Sequence, residues 1–258
     1  MKLSAHYIPT SDEVVESAAY GAVVAIQKAW NSRRDAQVVI TGGRTGLAFV
    51  LALDPKLAEA QKSNPDRKVH IWFSDERFVS LDNSDRTDTA LIAGFKQASE
   101  FIIFHRALAP SSIQDSATTL SASLEESRTA LQLDLDSTLQ EEFAGKKSPL
   151  NFDIVILSMG EDGHIASCFP GDTKVLTAKE SAASIANSPK PPAERTTITL
   201  HRLGQSEITF IFALGEGKRE ALEATLAGSE VMPIELLRQN SPSGEIVILT
   251  DLAVVEAI

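Results

Sequence analysis

Three short segments combine residue types that can do chemistry, and each follows an apolar run. Thr41-Gly42-Gly43-Arg44-Thr45-Gly46 closes QVVIT at 37–41 and opens a helix-like stretch. Glycines there let the backbone approach a ligand, and the free N–H groups of a helix start favour an anion. A tight strand-to-helix turn fits the same residues. The spacing is neither G-x-x-x-x-G-K-[ST] nor G-x-G-x-x-G, which excludes a P-loop and disfavours a dinucleotide. A sugar phosphate fits better than a nucleotide. Ser74-Asp75-Glu76-Arg77-Phe78-Val79 closes VHIWFS at 69–74. Arg77 can grip a phosphate or carboxylate with two N–H groups, while Asp75 or Glu76 can orient it or take sugar hydroxyls. The plain alternative is a solvated charged turn. Met159-Gly160-Glu161-Asp162-Gly163-His164-Ile165-Ala166-Ser167 follows DIVILS at 153–158. A carboxylate beside His164 can set its tautomer and basicity, which suits a general base.

Other chemistries fail by inspection. There is no H-E-x-x-H, no pair of cysteines and no second histidine close to His164, so a zinc site is disfavoured. No G-x-S-x-G elbow occurs, which counts against a serine hydrolase of the α/β-hydrolase type. Ser167 and Cys168 read as helix-start and packing residues. A net charge of −11 argues against a nucleic-acid partner, because phosphate backbones need clustered Lys and Arg. A small anionic ligand needs only a local positive site. The single cysteine, Cys168, cannot close an internal disulfide, consistent with a reducing compartment. Residues 1–6 show no apolar leader, and no apolar run approaches the ~18 residues that span a bilayer. A cytoplasmic protein without a membrane partner is expected; the oligomeric state stays open and a monomer is compatible.

The elements that must position these segments follow from periodicity. Apolar runs at 37–41, 69–74, 101–104, 153–158, 183–186, 196–200, 208–213 and 245–250 read as strands. Several are continuous rather than alternating, as in strands buried on both faces of a parallel sheet. Thr10 with Glu13 three residues on forms a capping box, so a first helix should start there and run through Val14, Val15, Ala18 and Ala22 toward Trp30. Further helices are expected around 44–53, 85–97, 117–143 and 217–227. This alternation predicts an α/β fold with helices on both faces of a parallel sheet. In such sheets ligands bind beyond the carboxyl ends of the strands, where all three segments fall. Residues 145–149 (GKKSP) read as a surface loop rather than a linker, so 1–258 is read as one domain.

In combination and order these residues resemble the 6-phosphogluconolactonases, which catalyse the second step of the oxidative pentose phosphate pathway. Residues 160–171, GEDGHIASCFPG, resemble the family's GEDGHTASLFPG signature. Asp75-Glu76-Arg77-Phe78-Val79 resembles its DERFVP segment, and 82–86 fits the polar stretch that follows. Lys190-Pro191-Pro192 with Arg195-Thr196-Thr197-Ile198-Thr199 resembles its late K-P-P-x-x-R-x-T-x-T segment, and Gly215-Glu216-Gly217-Lys218 its G-x-x-K turn. The matches run from about Val38 to Lys218. Two departures stand out: Arg44 replaces the Ser of GGSTP-like loops, and Ser80 replaces Pro.

The resemblance implies the fold shared with glucosamine-6-phosphate deaminases and ribose-5-phosphate isomerases, a Rossmann-like, mostly parallel sheet flanked by helices, with a few extra strands. It also implies hydrolysis of 6-phospho-D-glucono-1,5-lactone without cofactor or metal. His164 would be the base, supported by Asp162 or else Glu161. Gly42, Gly43, Arg44, Thr45, Arg77, Lys190, Arg195 and Lys218 are candidates for the phosphate and nearby charge. Asp75 would arrange Arg77 or a sugar hydroxyl. Deaminases share a D-G-H-I loop but continue toward F-N-E-P, where this chain reads Ser167-Cys168-Phe169-Pro170-Gly171. A non-catalytic sugar-phosphate sensor is a further alternative, against which the acidic charge and the lack of a basic segment count.

Overall fold

The computed structural model describes residues 2–32, 34–110, 120–142, 152–240 and 244–254. Along them run β1 (Lys2–Tyr7), α1 (Ser11–Asn31), β2 (Ala36–Ile40), α2 (Gly43–Gln61), β3 (Val69–Phe73), β4 (Asp75–Arg77), α3 (Thr87–Gly94) and β5 (Ile102–His105). Then follow α4 (Leu120–Glu142), β6 (Ile154–Ser158), α5 (Thr173–Leu176), β7 (Ala182–Ile185), β8 (Arg195–Ile198) and α6 (Leu200–Leu203). β9 (Ile208–Ala213), α7 (Arg219–Leu226), α8 (Pro233–Gln239) and β10 (Glu245–Thr250) complete the order.

The continuous apolar runs become the middle of a sheet covered on both sides. Val38 and Ile40 of β2, with Ile154 and Ile156 of β6, face α1, α2 and α3. Their neighbours Val39, Val155 and Leu157 face the opposite core, built with α4 to α8. Alternate residues point to opposite faces of a strand, so a strand buried on both must be apolar throughout. The seven strands are ordered β1-β10-β9-β6-β2-β3-β5, every pairing parallel. A small antiparallel sheet, β4-β8-β7, sits at one end. The expected architecture is therefore present, and the extra strands are this second sheet. Among the described residues no helix is long and apolar enough to cross a membrane.

Several local expectations hold and others shift. Thr10 caps α1, its hydroxyl accepting from the Glu13 N–H at 3.2 Å and donating to the Glu13 carboxylate at 2.8 Å. α2 runs past Pro55, eight residues beyond the expected end at 53. A proline there frees the carbonyl of Leu51, and Leu51 is 52% exposed, so water can satisfy it. β1 escaped the periodicity because it is an edge strand with one buried residue, Ala5. β4 escaped because a three-residue strand of Asp, Glu and Arg has no apolar signal. The short helices α5, α6 and α8 also lacked one. Residues 145–149, and the ends of the helix expected at 117–143, lie outside the described residues.

Candidate active site

The strand order dictates where a ligand can sit. From β2 the chain proceeds outward through β3 to β5, then crosses back to β6 and builds through β9 to β10, which lies beside the first strand, β1. The direction reverses between β2 and β6, and the crevice beyond their carboxyl ends is the natural ligand site. A cleft of about 360 Å³ opens there, lined by Thr41, Gly42 and Gly43 after β2 and by Ser158 to Glu161 with His164 and Ala166 after β6. Asp75, Arg77, Thr87, Lys190, Arg195 and Lys218 close it from the other elements.

The loop after β6 folds tightly on itself. Gly160 donates its N–H to the His164 carbonyl at 2.7 Å, and Gly163 donates to the Gly160 carbonyl at 3.0 Å. A side chain at Gly160 would put its Cβ 2.1 Å from His164 Nδ1, so only glycine lets the imidazole fold back here. His164 Nδ1 lies 2.5 Å from Asp162 Oδ1, and Lys190 Nζ lies 3.2 Å from the same oxygen. The Phe169 ring packs against the imidazole at 4.5 Å between centroids. Burial opposes charge on Asp162, but the hydrogen bonds and charges of His164 and Lys190 outweigh it and hold the carboxyl at about 2. An ionised carboxylate only accepts, so Nδ1 must carry the proton and Nε2 keeps the lone pair. Burial lowers the His164 pKa below the ordinary value; Asp162 opposes this and Lys190 adds to it. The result is a neutral imidazole at pH 7 with a fixed tautomer. Glu161 turns elsewhere, against Gly217, which leaves Asp162 as the carboxylate that supports His164.

The loop after β3 pivots on Ser74, whose N–H donates to the Ile40 carbonyl of β2 and whose carbonyl accepts from Ile198 of β8. This hands the chain from the large sheet to the small one. Asp75 accepts from the Ser74 hydroxyl at 3.0 Å and the Ser167 hydroxyl at 2.5 Å, and lies 3.8 Å from the Arg195 guanidinium. Ser167 thus neither starts a helix nor sits idle; it fixes Asp75. Cys168 is buried, and burial raises its thiol far above the reactive range, in keeping with a packing role. Arg77 donates through one nitrogen to the Asp85 carbonyl at 2.9 Å and borders the cleft, so Asp75 is not what orients it.

The cations differ in character. Lys218 lines the cleft; burial lowers its pKa, with Glu161 opposing and Lys190 adding to the fall. Arg195 is 3% exposed and donates to the carbonyls of Lys190, Pro191 and Pro192, with its guanidinium 5.6 Å from the Phe169 ring. That makes it the brace of the Lys190 loop as well as a cleft wall. Arg44 is exposed in the first turn of α2, and neither it nor Thr45 is among the cleft-lining residues, although Arg44's charge reaches Lys218. Thr87, Ser158 and Phe169 join the site without having been singled out as site residues. Only Thr87, beside Asp88 at a helix start, offered even a capping-type hint. Among the described residues no group of three or more His, Cys, Asp or Glu side chains is arranged for a metal ion.

A family model described as glucosamine-6-phosphate isomerases/6-phosphogluconolactonase matches residues 9–248. The chain belongs to this family. A protein of Mycobacterium tuberculosis named 6-phosphogluconolactonase is 30% identical over 234 residues, covering 91% of this chain and 90% of that protein. The structure of a 6-phosphogluconolactonase from Trypanosoma cruzi superimposes with a TM-score of 0.78 at 19% identity, covering 96% of this chain and 94% of that one. A monomeric glucosamine-6-phosphate deaminase superimposes with a TM-score of 0.63 at 18% identity, covering 97% of each chain. At such identities the structures establish a shared fold. Within this family, the fold alone does not separate the two chemistries.

Proposed function

We propose that this chain hydrolyses 6-phospho-D-glucono-1,5-lactone to 6-phospho-D-gluconate, working as one domain in the cytoplasm on a small sugar phosphate. The observation that carries the reading is the neutral His164, buttressed by an ionised Asp162, facing a cleft rimmed by Arg77, Lys190 and Lys218. In the reaction Nε2 of His164 takes a proton from water as the water oxygen attacks C1. The carbonyl oxygen becomes an oxyanion. On collapse the C1–ring oxygen bond breaks, and the imidazolium returns its proton to the departing ring oxygen. Asp162 stabilises the imidazolium between these steps. At the other end, the N–H groups of Gly42 and Gly43 at the start of α2, with Arg77 and Lys218, suit the phosphate. Asp75, braced by Ser167 and Arg195, suits a sugar hydroxyl. The 30% identity to a protein named as this lactonase supports the choice over amine release, as does the Phe169-Pro170-Gly171 continuation.

The deciding assay measures lactone hydrolysis above the spontaneous rate on freshly made substrate, beside ammonia release from glucosamine 6-phosphate. Lactone hydrolysis without ammonia is the expected result; the reverse overturns the reading.

The pH dependence follows from the environment of His164. Its pKa is depressed, so the base is neutral above that value and kcat/KM should fall only below the ordinary ~6.5 of histidine. The substrate phosphate itself titrates near ~6, so the profile should be repeated with unphosphorylated gluconolactone, which lacks that ionisation. An acid limb centred above 7 on the plain lactone contradicts the role of His164.

A further inference from the structure

The carboxylate of Glu76 lies between Asp75 and Arg77 but points away from the cleft, and it is 2% exposed. Among the described residues no salt bridge reaches it, although the charges of Arg106 and Arg195 feel it at longer range. It accepts from the Arg77 N–H at 2.8 Å, the Thr87 N–H at 3.0 Å, the Asp88 N–H at 2.7 Å and the Thr87 hydroxyl at 3.1 Å. Thr87 and Asp88 are the first residues of α3, whose own N-cap position, Arg86, supplies no side-chain cap. Glu76 therefore caps α3 from another element, where the helix dipole favours a negative charge. Asp88 beside it is neutralised separately by Arg86 and Arg106, at 2.7 and 2.8 Å. The Thr87 side chain held there occupies the space beside the glycine turn: a Cβ at Gly42 would lie 2.7 Å from Thr87 Oγ1 and 2.9 Å from its Cβ.

We infer that Glu76 is a positioning residue for the phosphate end of the cleft, holding Arg77 through its backbone and the Gly42–Gly43 turn through Thr87. This rests on the lactonase reading above and assigns to that reaction two residues that do no chemistry. One buried carboxylate joins Arg77 and Thr87 directly, and through Thr87 the turn at 42–43. Replacing the carboxylate with an amide keeps one accepting oxygen, removes the charge and turns the other oxygen into an N–H donor facing helix N–H groups.

The test compares Glu76→Gln, Thr87→Val and Thr87→Ser with the wild-type chain on phosphorylated and plain lactone, with calorimetric binding of 6-phosphogluconate. Losing the Thr87 hydroxyl frees the side chain from Glu76 and loosens the turn. Thr87→Val should then raise KM for the phosphorylated lactone about tenfold, the equivalent of one weakened hydrogen bond to the charged phosphate, with kcat within about twofold. Glu76→Gln should raise it by more. The loss of kcat/KM should be several-fold smaller on the plain lactone than on the phosphorylated one, and 6-phosphogluconate should bind more weakly in step with KM. Thr87→Ser, which keeps the hydroxyl, should recover most of what Thr87→Val loses. Equal losses on both substrates, or a Thr87→Ser variant no better than Thr87→Val, overturn the inference. Should Glu76→Gln fail to fold, the Thr87 pair decides alone. Wild-type protein inactive on the phosphorylated lactone would instead sink the lactonase reading.

Discussion

His164→Ala should lower kcat by about 10²–10⁴, the loss typical of a positioned general base. The affinity for 6-phosphogluconate should barely change, because the residues that suit its phosphate lie after β2, in β4 and after β9 rather than on the His164 loop. The loss should be the same on the phosphorylated and the plain lactone, since the proton transfer is common to both. Asp162→Asn tests the same unit from behind. It removes the charge that stabilises the imidazolium and frees the imidazole to adopt the wrong tautomer, so kcat should fall by about 10² or more. Single-turnover rates corrected for spontaneous hydrolysis measure both variants. A His164→Ala variant turning over near the wild-type rate removes this residue from the mechanism.

The second large effect concerns the phosphate. A lactone ring offers neutral hydroxyls, whereas the phosphate brings nearly two negative charges into a cleft rimmed by Arg77, Lys190 and Lys218. A chain with a net charge of −11 that gathers cations at one opening gains from that contact. Hydrogen bonds to charged groups contribute ~1.5–3 kcal/mol each, and a remote anchor can position the carbonyl for attack. Unphosphorylated gluconolactone should therefore lose kcat/KM by at least about 10²-fold, equivalent to one or two such bonds. Arg77→Ala should shrink this preference, whereas His164→Ala should leave it intact. Arg44→Ser should be mild, because Arg44 is exposed and stands outside the cleft lining. Specificity constants on both lactones decide the matter: an Arg77→Ala variant that slows both equally assigns Arg77 to the carbonyl or the fold.

How much of this was legible beforehand depends on the range of the interaction concerned. Periodicity exposed the strands of the sheet interior because burial on both faces demands unbroken apolar runs. The Thr10 cap was readable because its hydrogen bonds span three residues. The glycine-framed His164 loop was readable because Asp162 and His164 are two residues apart and the loop closes on itself. Motif order was enough to point to the family.

The choice of Asp162 over Glu161 could not be read from the sequence. Both carboxylates are near His164 in sequence, and only the packing of Glu161 against Gly217, more than fifty residues on, separates them. Arg195 looked like another phosphate ligand until the loop at Lys190 wrapped its carbonyls around the guanidinium. Glu76 looked interchangeable with Asp75 until alternate residues of β4 sent one carboxylate into the cleft wall and the other beneath α3. Residue type and local spacing thus determined which groups could do chemistry and at which strand ends they stand. The order β1-β10-β9-β6-β2-β3-β5 decided which of those ends meet, because the reversal between β2 and β6 is set by long-range packing that no local period encodes.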